Sequence, residues 1–278
     1  MSLDVSELII SDLSGIGRYS FSRLSTYHTC QYLYDKTYNH GRVEGAGNTF
    51  ASYGTMAHAI LESYLKDEIP LENLEERYVE LFSEECSDGI QMYIPSKNGG
   101  FFEKDLTELY YTGGLDFFQN FEGFEGMNVL GVEENFDIVL KYKDVVFIFN
   151  GFIDLVAEKN GELYVIDHKS KGKFKSALEK QEYRRQLALY ALYASYKWKM
   201  PVKEGWFNQF RINHIEKFAM TEEVMLEALD WAVDTIKEIE SEFLWLPNIS
   251  DRFYCRNLCD VREDCYYFQQ NEEQLENE

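Results

Sequence analysis

Three strand-like runs, Val129 to Tyr142, Val145 to Glu158 and Leu163 to Lys169, follow one another with only Lys143-Asp144 and Asn160-Gly161 between them. All three are rich in β-branched and aromatic residues, and both separators are tight-turn signals. The chain therefore has to build an antiparallel trio at its centre. A helical pattern from Ser176 to about Trp198 comes next, then a strand over Trp206 to Ile212 and a long helix from Glu222 to about Phe243. The order helix, three strands, helix, strand specifies an α/β fold, a central sheet flanked by helices.

Upstream, Ser22 is placed to cap a helix with Leu24, Tyr27, Cys30, Tyr34 and Tyr38 on one side. Gly41 to Asn48 reads as a loop, and a second helix over Ser52 to Leu65 carries His58. Leu71 to Glu85 and Asp105 to Phe121 are helical and acidic, with the turn-rich Pro95-Ser96-Lys97-Asn98-Gly99-Gly100 between them. This is a helical insertion of about 67–125 within a single domain of 1–270, and 271–278 is an acidic tail. A chain of 278 residues is long enough to bury a sizeable core, and its 20 tyrosines and 20 phenylalanines are read mainly as core.

The formal net charge of -22 argues against a general electrostatic grip on nucleic acid. The charge is uneven, however. Acid gathers in Asp67 to Asp88 and Glu272 to Glu278, whereas Lys169, Lys171, Lys173, Lys175, Lys180, Arg184 and Arg185 crowd one short stretch. The first residues lack a basic and apolar leader, and no apolar run reaches the roughly 18 residues of a membrane span. The expectation is a cytoplasmic protein, whose five cysteines point to metal or cluster chemistry before disulfides.

The chemistry-bearing pattern is Gly151-Phe152-Ile153-Asp154, the Asn160-Gly161 turn, then Val165-Ile166-Asp167-His168-Lys169. Residues two apart on a strand share a face, so Asp167 and Lys169 project together, and the hairpin brings Asp154 near them. Two carboxylates suit a hard divalent cation such as Mg²⁺ or Mn²⁺, which can acidify a water and offset charge on a phosphate. A neighbouring lysine can stabilise the extra negative charge. Taken alone the pattern is short, and a charged hairpin tip explains it as well. Its companions are Gln186 and Tyr190, four apart on the next helix, Glu133 or Glu134 on the first strand, and His58 on the preceding helix.

The ordered set Cys30, Gly54 to His58, Glu133, Gly151 to Asp154, Asp167-His168-Lys169 and Gln186-Leu187-Ala188-Leu189-Tyr190 resembles the RecB-like nucleases of the PD-(D/E)XK superfamily. That branch includes the CRISPR-associated RecB-like exonucleases and the nuclease domains of bacterial recombination helicase–nucleases. The resemblance spans Ser22 to Cys265 and implies a restriction-endonuclease-like core with a mixed sheet. It implies a metal-dependent DNA exonuclease acting on ends or single strands in recombination, repair or phage and CRISPR DNA processing. DNA and a helicase, recombinase or CRISPR-adaptation protein would be its partners. Asp154, Asp167, His58 and the backbone carbonyl of His168 would bind Mg²⁺ or Mn²⁺, with Lys169 assisting catalysis and Gln186 and Tyr190 positioning the site. Glu133 and Glu134 stay as alternatives for a further acid. Lys171, Lys173, Lys175, Arg184 and Arg185 would draw in the DNA backbone.

Cys255, Cys259 and Cys265 lie close together near the C-terminus, and Cys30 lies at the other end, while Cys86 reads as an ordinary thiol. Spacing leaves a four-iron four-sulfur cluster, structural zinc and no ligand all open. The resemblance implies the iron–sulfur cluster, joining the chain ends as a staple. Two further functions fit the composition. One is a catalytically silent nuclease fold serving DNA binding or assembly. The other is a zinc-stapled protein with no nucleic-acid role.

Overall fold

The computed structural model describes residues 16–41, 48–97 and 100–270. Most of the Gly41 to Asn48 loop, Asn98 and Gly99 of the turn-rich stretch, the first fifteen residues and the acidic tail lie outside the described residues. A short strand β1 (Arg18–Tyr19) leads into helices α1 (Phe21–Thr29) and α2 (Gln31–Tyr34), a π-helical turn (Asp35–Asn39) and α3 (Thr49–Leu65). The first cap is Ser20 rather than Ser22: its hydroxyl accepts from the Arg23 N–H. The expected continuous helix breaks at Cys30, whose backbone is extended.

The insertion holds α4 (Leu74–Glu85) and α5 (Thr107–Asn120), as its acidic amphipathic patterns require. It also holds an antiparallel hairpin of β2 (Gln91–Pro95) and β3 (Phe101–Asp105), whose loop is the turn-rich stretch. Apolar residues of α3, α4 and α5, among them Tyr53, Ile60, Tyr78 and Phe118, share one buried cluster.

The central sheet contains β4 (Asn128–Tyr142), β5 (Val145–Lys159), β6 (Glu162–His168), β7 (Val202–Gln209) and β8 (His214–Ala219), together with β1. Between β6 and β7 runs α6 (Ala177–Trp198), capped by the Ser176 hydroxyl, and β8 leads to α7 (Glu222–Ser241). A final short helix, α8 (Arg252–Asn257), carries Cys255. Asn160 and Gly161 both take positive φ, 58° and 79°, the two-residue turn that their identities favour. The sheet is mixed: β4–β5, β5–β6 and β7–β8 are antiparallel, β6–β7 and β1–β5 parallel.

One detail of this topology makes the site. β1 pairs with β5 at Ile148 and Phe149, while β6 pairs with it only from Leu155 onward. The two neighbours therefore diverge along one edge of β5, and Asp154 sits where β6 departs. Side-chain alternation slips at the same place. Phe147, Phe149 and Ile153 pack in the cluster with α6, whereas Leu155 and Ala157 pack toward Leu65 of α3. Among the described residues no helix is long and apolar enough to cross a membrane.

Candidate active site

Asp154 of β5 is buried, and its Oδ2 accepts from the backbone N–H of His168 on β6. His58 arrives from α3 with Nδ1 3.6 Å from the same oxygen, while its Nε2 lies 2.9 Å from the His168 carbonyl. A carbonyl only accepts, so Nε2 carries the proton and the Nδ1 lone pair faces Asp154. The His168 carbonyl, expected as a metal ligand, thus holds the His58 tautomer, and its second lone pair is still open to an ion.

Glu133 and Asp154, one from each strand, fall between the β4–β5 pairs Val132–Leu155 and Glu134–Ile153. The φ of Glu133 is +49°, a left-handed conformation that a glutamate rarely takes. Strain of this kind persists only where the surroundings enforce it, and it clusters at functional sites. Ligand atoms of His58, Glu133 and Asp154 all lie within 4.8 Å of one another. Glu134 points the other way, bound by the Tyr193 hydroxyl at 2.6 Å and by Lys197. Of the two glutamates, Glu133 is the one whose carboxylate lies beside His58 and Asp154. The cavity over the site is open and is lined by Gly54, Thr55, His58, Ala59, Glu62 and Glu133.

Asp167 and Lys169 complete the constellation from β6. Asp167 is buried, with Oδ2 2.7 Å from Lys169 Nζ and Oδ1 accepting from Gln186 Nε2 at 2.9 Å. Gln186 also donates to the Tyr190 hydroxyl at 3.1 Å, so α6 presents both residues as their four-residue spacing requires. Gly151 makes that approach possible, because a Cβ there would lie 3.2 Å from Tyr190 Cε1 and 3.3 Å from the Phe136 ring. His168, between Asp167 and Lys169, points elsewhere. It is fully buried, accepts from Asn208 and stacks beside Phe124.

The electrostatics follow from burial. Burial and the neighbouring Asp167 hold the Asp154 carboxyl well above the carboxylate range. Burial and Glu62 raise Glu133 as well. Burial lowers His58 and, more strongly, His168, so both imidazoles are neutral at pH 7. Burial alone would lower Lys169, but Asp167 and Asp154 outweigh it and the ammonium is held above its ordinary value. The site is thus short of positive charge: acids crowded out of water, with one lysine between them. Two carboxylates and an imidazole nitrogen are a donor set that Mg²⁺ or Mn²⁺ accepts, which is the fit a metal nuclease needs.

A profile of the PD-(D/E)XK nuclease superfamily matches residues 18–266, which takes in every residue above. The chain belongs to the PD-(D/E)XK nuclease superfamily. The mixed sheet with helices on both faces is the fold expected of that superfamily. No curated protein matches the sequence. Among solved structures, the crystal structure of SSO0001 is similar over 88% of this chain and 95% of its own, at 14% identity and a TM-score of 0.32, a likeness too loose to bear on the site.

Around this PD-(D/E)XK centre the five expected DNA-contacting cations divide. Lys171 pairs with Glu179, and Arg185 donates through Nε and Nη2 to Glu227 Oε1 at 2.9 and 2.7 Å. Arg184 lies 3.6 Å from the other oxygen of Glu227. Lys173 and Lys175 are exposed.

The four cysteines of the expected staple line one cavity with Tyr32, Tyr254 and Phe268. The Asn248 N–H points at Cys30 Sγ at 3.4 Å, and Tyr32 OH donates to the Asp264 carbonyl, so the two ends of the described chain meet there. Burial and the other thiols push Cys255 up to about 12, and burial chiefly raises Cys259 to about 11. Among the described residues no three of these sulfurs lie within 4.8 Å of one another. Cys86 is buried in the insertion cluster, away from them.

Proposed function

We propose that this chain is a Mg²⁺- or Mn²⁺-dependent DNA nuclease of the RecB-like branch, acting as an exonuclease on ends or single strands. The observation that carries this reading is the meeting of His58, Glu133 and Asp154 within 4.8 Å beside the Asp167–Lys169 pair. His58 Nδ1 and the two carboxylates would hold the ion, with Asp167 and the His168 carbonyl as further oxygen donors. When bound, a divalent cation supplies Lewis-acid chemistry, acidifying water and offsetting charge on a phosphodiester.

The protein's own groups do the rest. Lys169 stays charged through its acidic neighbours and can donate to the oxygen on which negative charge develops. The aromatic ring of Phe207 lies 5.7 Å from its Nζ and helps to hold the chain in place. Gln186, backed by Tyr190, fixes the Asp167 carboxylate, and the main-chain N–H of His168 fixes Asp154. Lys173 and Lys175 meet the DNA backbone first, and Lys171, Arg184 and Arg185 join by exchanging their carboxylate partners for phosphate.

The same reading gives the cysteine cavity a four-iron four-sulfur cluster. Its support is geometric: Cys30, Cys255, Cys259 and Cys265 line one cavity, and four thiolates are the ligand set such a cluster takes. The cluster would act as a structural tie between chain ends. With a net charge of -22, a helicase, recombinase or CRISPR-adaptation partner would supply much of the affinity for DNA.

The test is incubation of anaerobically purified protein with end-labelled single- and double-stranded DNA, with and without Mn²⁺, beside Lys169→Ala. Metal-dependent shortening lost in the variant supports the proposal. A gel shift with no cleavage would support the silent, DNA-binding alternative instead.

A further inference from the structure

The middle of β5 carries a large aromatic side chain that the core does not use. Phe152 is 55% exposed, although β5 is an inner strand with β4 on one edge and β1 and β6 on the other. Its neighbours Phe149, Gly151 and Ile153 face α6, so alternation turns Phe152 to the opposite face. Its cross-strand partner Asn135 is exposed too, as is Asp137 farther along β4. In the other direction Glu134 pairs with Ile153, and the next residues along the two strands are Glu133 and Asp154.

An isolated exposed phenylalanine is ordinary on a protein surface. Position sets this one apart. It lies two residues from a carboxylate of the metal-ligand group, about 6.8 Å along the strand, a span that one extended nucleotide covers. The local charge adds to this. Lys173 and Lys175 are exposed, whereas Lys171, Arg184 and Arg185 must first leave acidic partners to meet phosphate. A base can add binding there through its ring face without any further cation. In a paired duplex that face is covered by its neighbours, whereas at a frayed end or in a single strand it is free.

We infer that Phe152 is the platform on which an unpaired base next to the scissile phosphate stacks, and that it selects single-stranded or frayed DNA. The inference rests on the nuclease reading above and deepens it to the residue that recognises the unpaired base. The residue positions substrate and takes no part in the bond-breaking step.

The experiment uses single-stranded oligonucleotides, intact or with an abasic site at successive positions from the end. KM in Mn²⁺ is measured for the wild type and for Phe152→Ala, Phe152→Leu and Phe152→Trp. Both Ala and Leu should raise KM on the intact strand by about 5- to 150-fold, the range that loss of one stack implies. Trp should restore it. On the strand whose abasic site falls beside the cut, the wild type should weaken until all variants converge. In Ca²⁺, the emission of Phe152→Trp above that of the four native tryptophans should be quenched by the intact strand and not by the abasic one. Equal KM for Phe152→Ala and wild type on intact strands would overturn the inference, and so would a loss that persists on the abasic strand. If the wild type cleaves no DNA at all, the nuclease reading fails, while the quenching comparison still decides whether a base stacks on residue 152.

Discussion

The Nε2–H of His58 donates to the carbonyl oxygen of His168 across 2.9 Å, tying α3 to the strand that carries Asp167 and Lys169. One hydrogen bond thus selects the tautomer whose lone pair faces Asp154 and sets the distance between helix and sheet. His58→Ala should lower Mn²⁺ affinity by at least about 10-fold, the scale on which oriented ligand shells act. Isothermal titration calorimetry of the two proteins checks this, and equal affinities would remove His58 from the ion's shell.

Glu133 and Glu134 make a paired test, adjacent in sequence and opposite in surroundings. Glu133→Gln should abolish metal-induced stabilisation. Glu134→Gln should keep it and cost about 1 kcal/mol through weaker bonds to Tyr193 and Lys197. Thermal melts with and without Mn²⁺ separate the two. The reverse outcome would place the functional acid on the wrong side of β4.

The raised Asp154 carboxyl makes a pH prediction whose sign is the reverse of a salt-bridged acid. In metal-free protein the folded state keeps this proton above the pH at which the unfolded chain loses it. Stability from this group is therefore present at low pH and falls as pH rises from the ordinary carboxylate range through the raised value. Asp154→Asn removes that dependence. The variant should melt higher than wild type without metal, by a margin larger at pH 8 than at pH 5, yet gain nothing from Mn²⁺. A margin that shrinks toward pH 8 would contradict the burial argument.

Gly151→Ala should disturb the site without touching a ligand. The added methyl meets Tyr190 and Phe136 at 3.2 and 3.3 Å, so α6 must shift by a few tenths of an ångström or strain its side chains. The expected cost is about 1–3 kcal/mol of stability, with a fall in kcat because Gln186 no longer sits squarely on Asp167. Chemical denaturation and steady-state cleavage give both numbers, and an unchanged kcat would argue that Tyr190 and Gln186 are packing residues only.

Cys255→Ser tests the staple. Visible absorbance in anaerobic protein should disappear, and the melting temperature should fall as the link between the two ends loosens. A colourless wild type containing zinc would replace the cluster with the smaller ion.

Much of this was legible in the sequence because it is written in short-range signals. Asn160-Gly161 fixes a tight turn, which sets Asp154 opposite Asp167, and Gln186 and Tyr190 share a face because they are four apart on a helix. What was hidden depends on distant partners. Nothing local distinguishes Glu133 from Glu134; the choice is made by a left-handed residue at the bend of β4 and by Tyr193 and Lys197 on α6. The lysine-rich stretch looks like a free basic patch until α7 brings Glu227 against Arg184 and Arg185, more than forty positions away. β8 carries little strand signal because His214-Ile215-Glu216-Lys217-Phe218-Ala219 is a charged edge strand, paired on one side only. The hairpin in the insertion was obscured by the acidic helices on either side of it, and Cys30 looked helical because the periodicity of α1 continues past it into α2.

On the proposed function, one divalent ion sits among His58, Glu133 and Asp154. Anomalous diffraction from crystals soaked in Mn²⁺ addresses it most directly. A manganese peak should appear bonded to His58 Nδ1 and to both carboxylates, and should be absent from Asp154→Asn crystals. A peak elsewhere, or none at saturating Mn²⁺ with the three side chains in their present places, would contradict it.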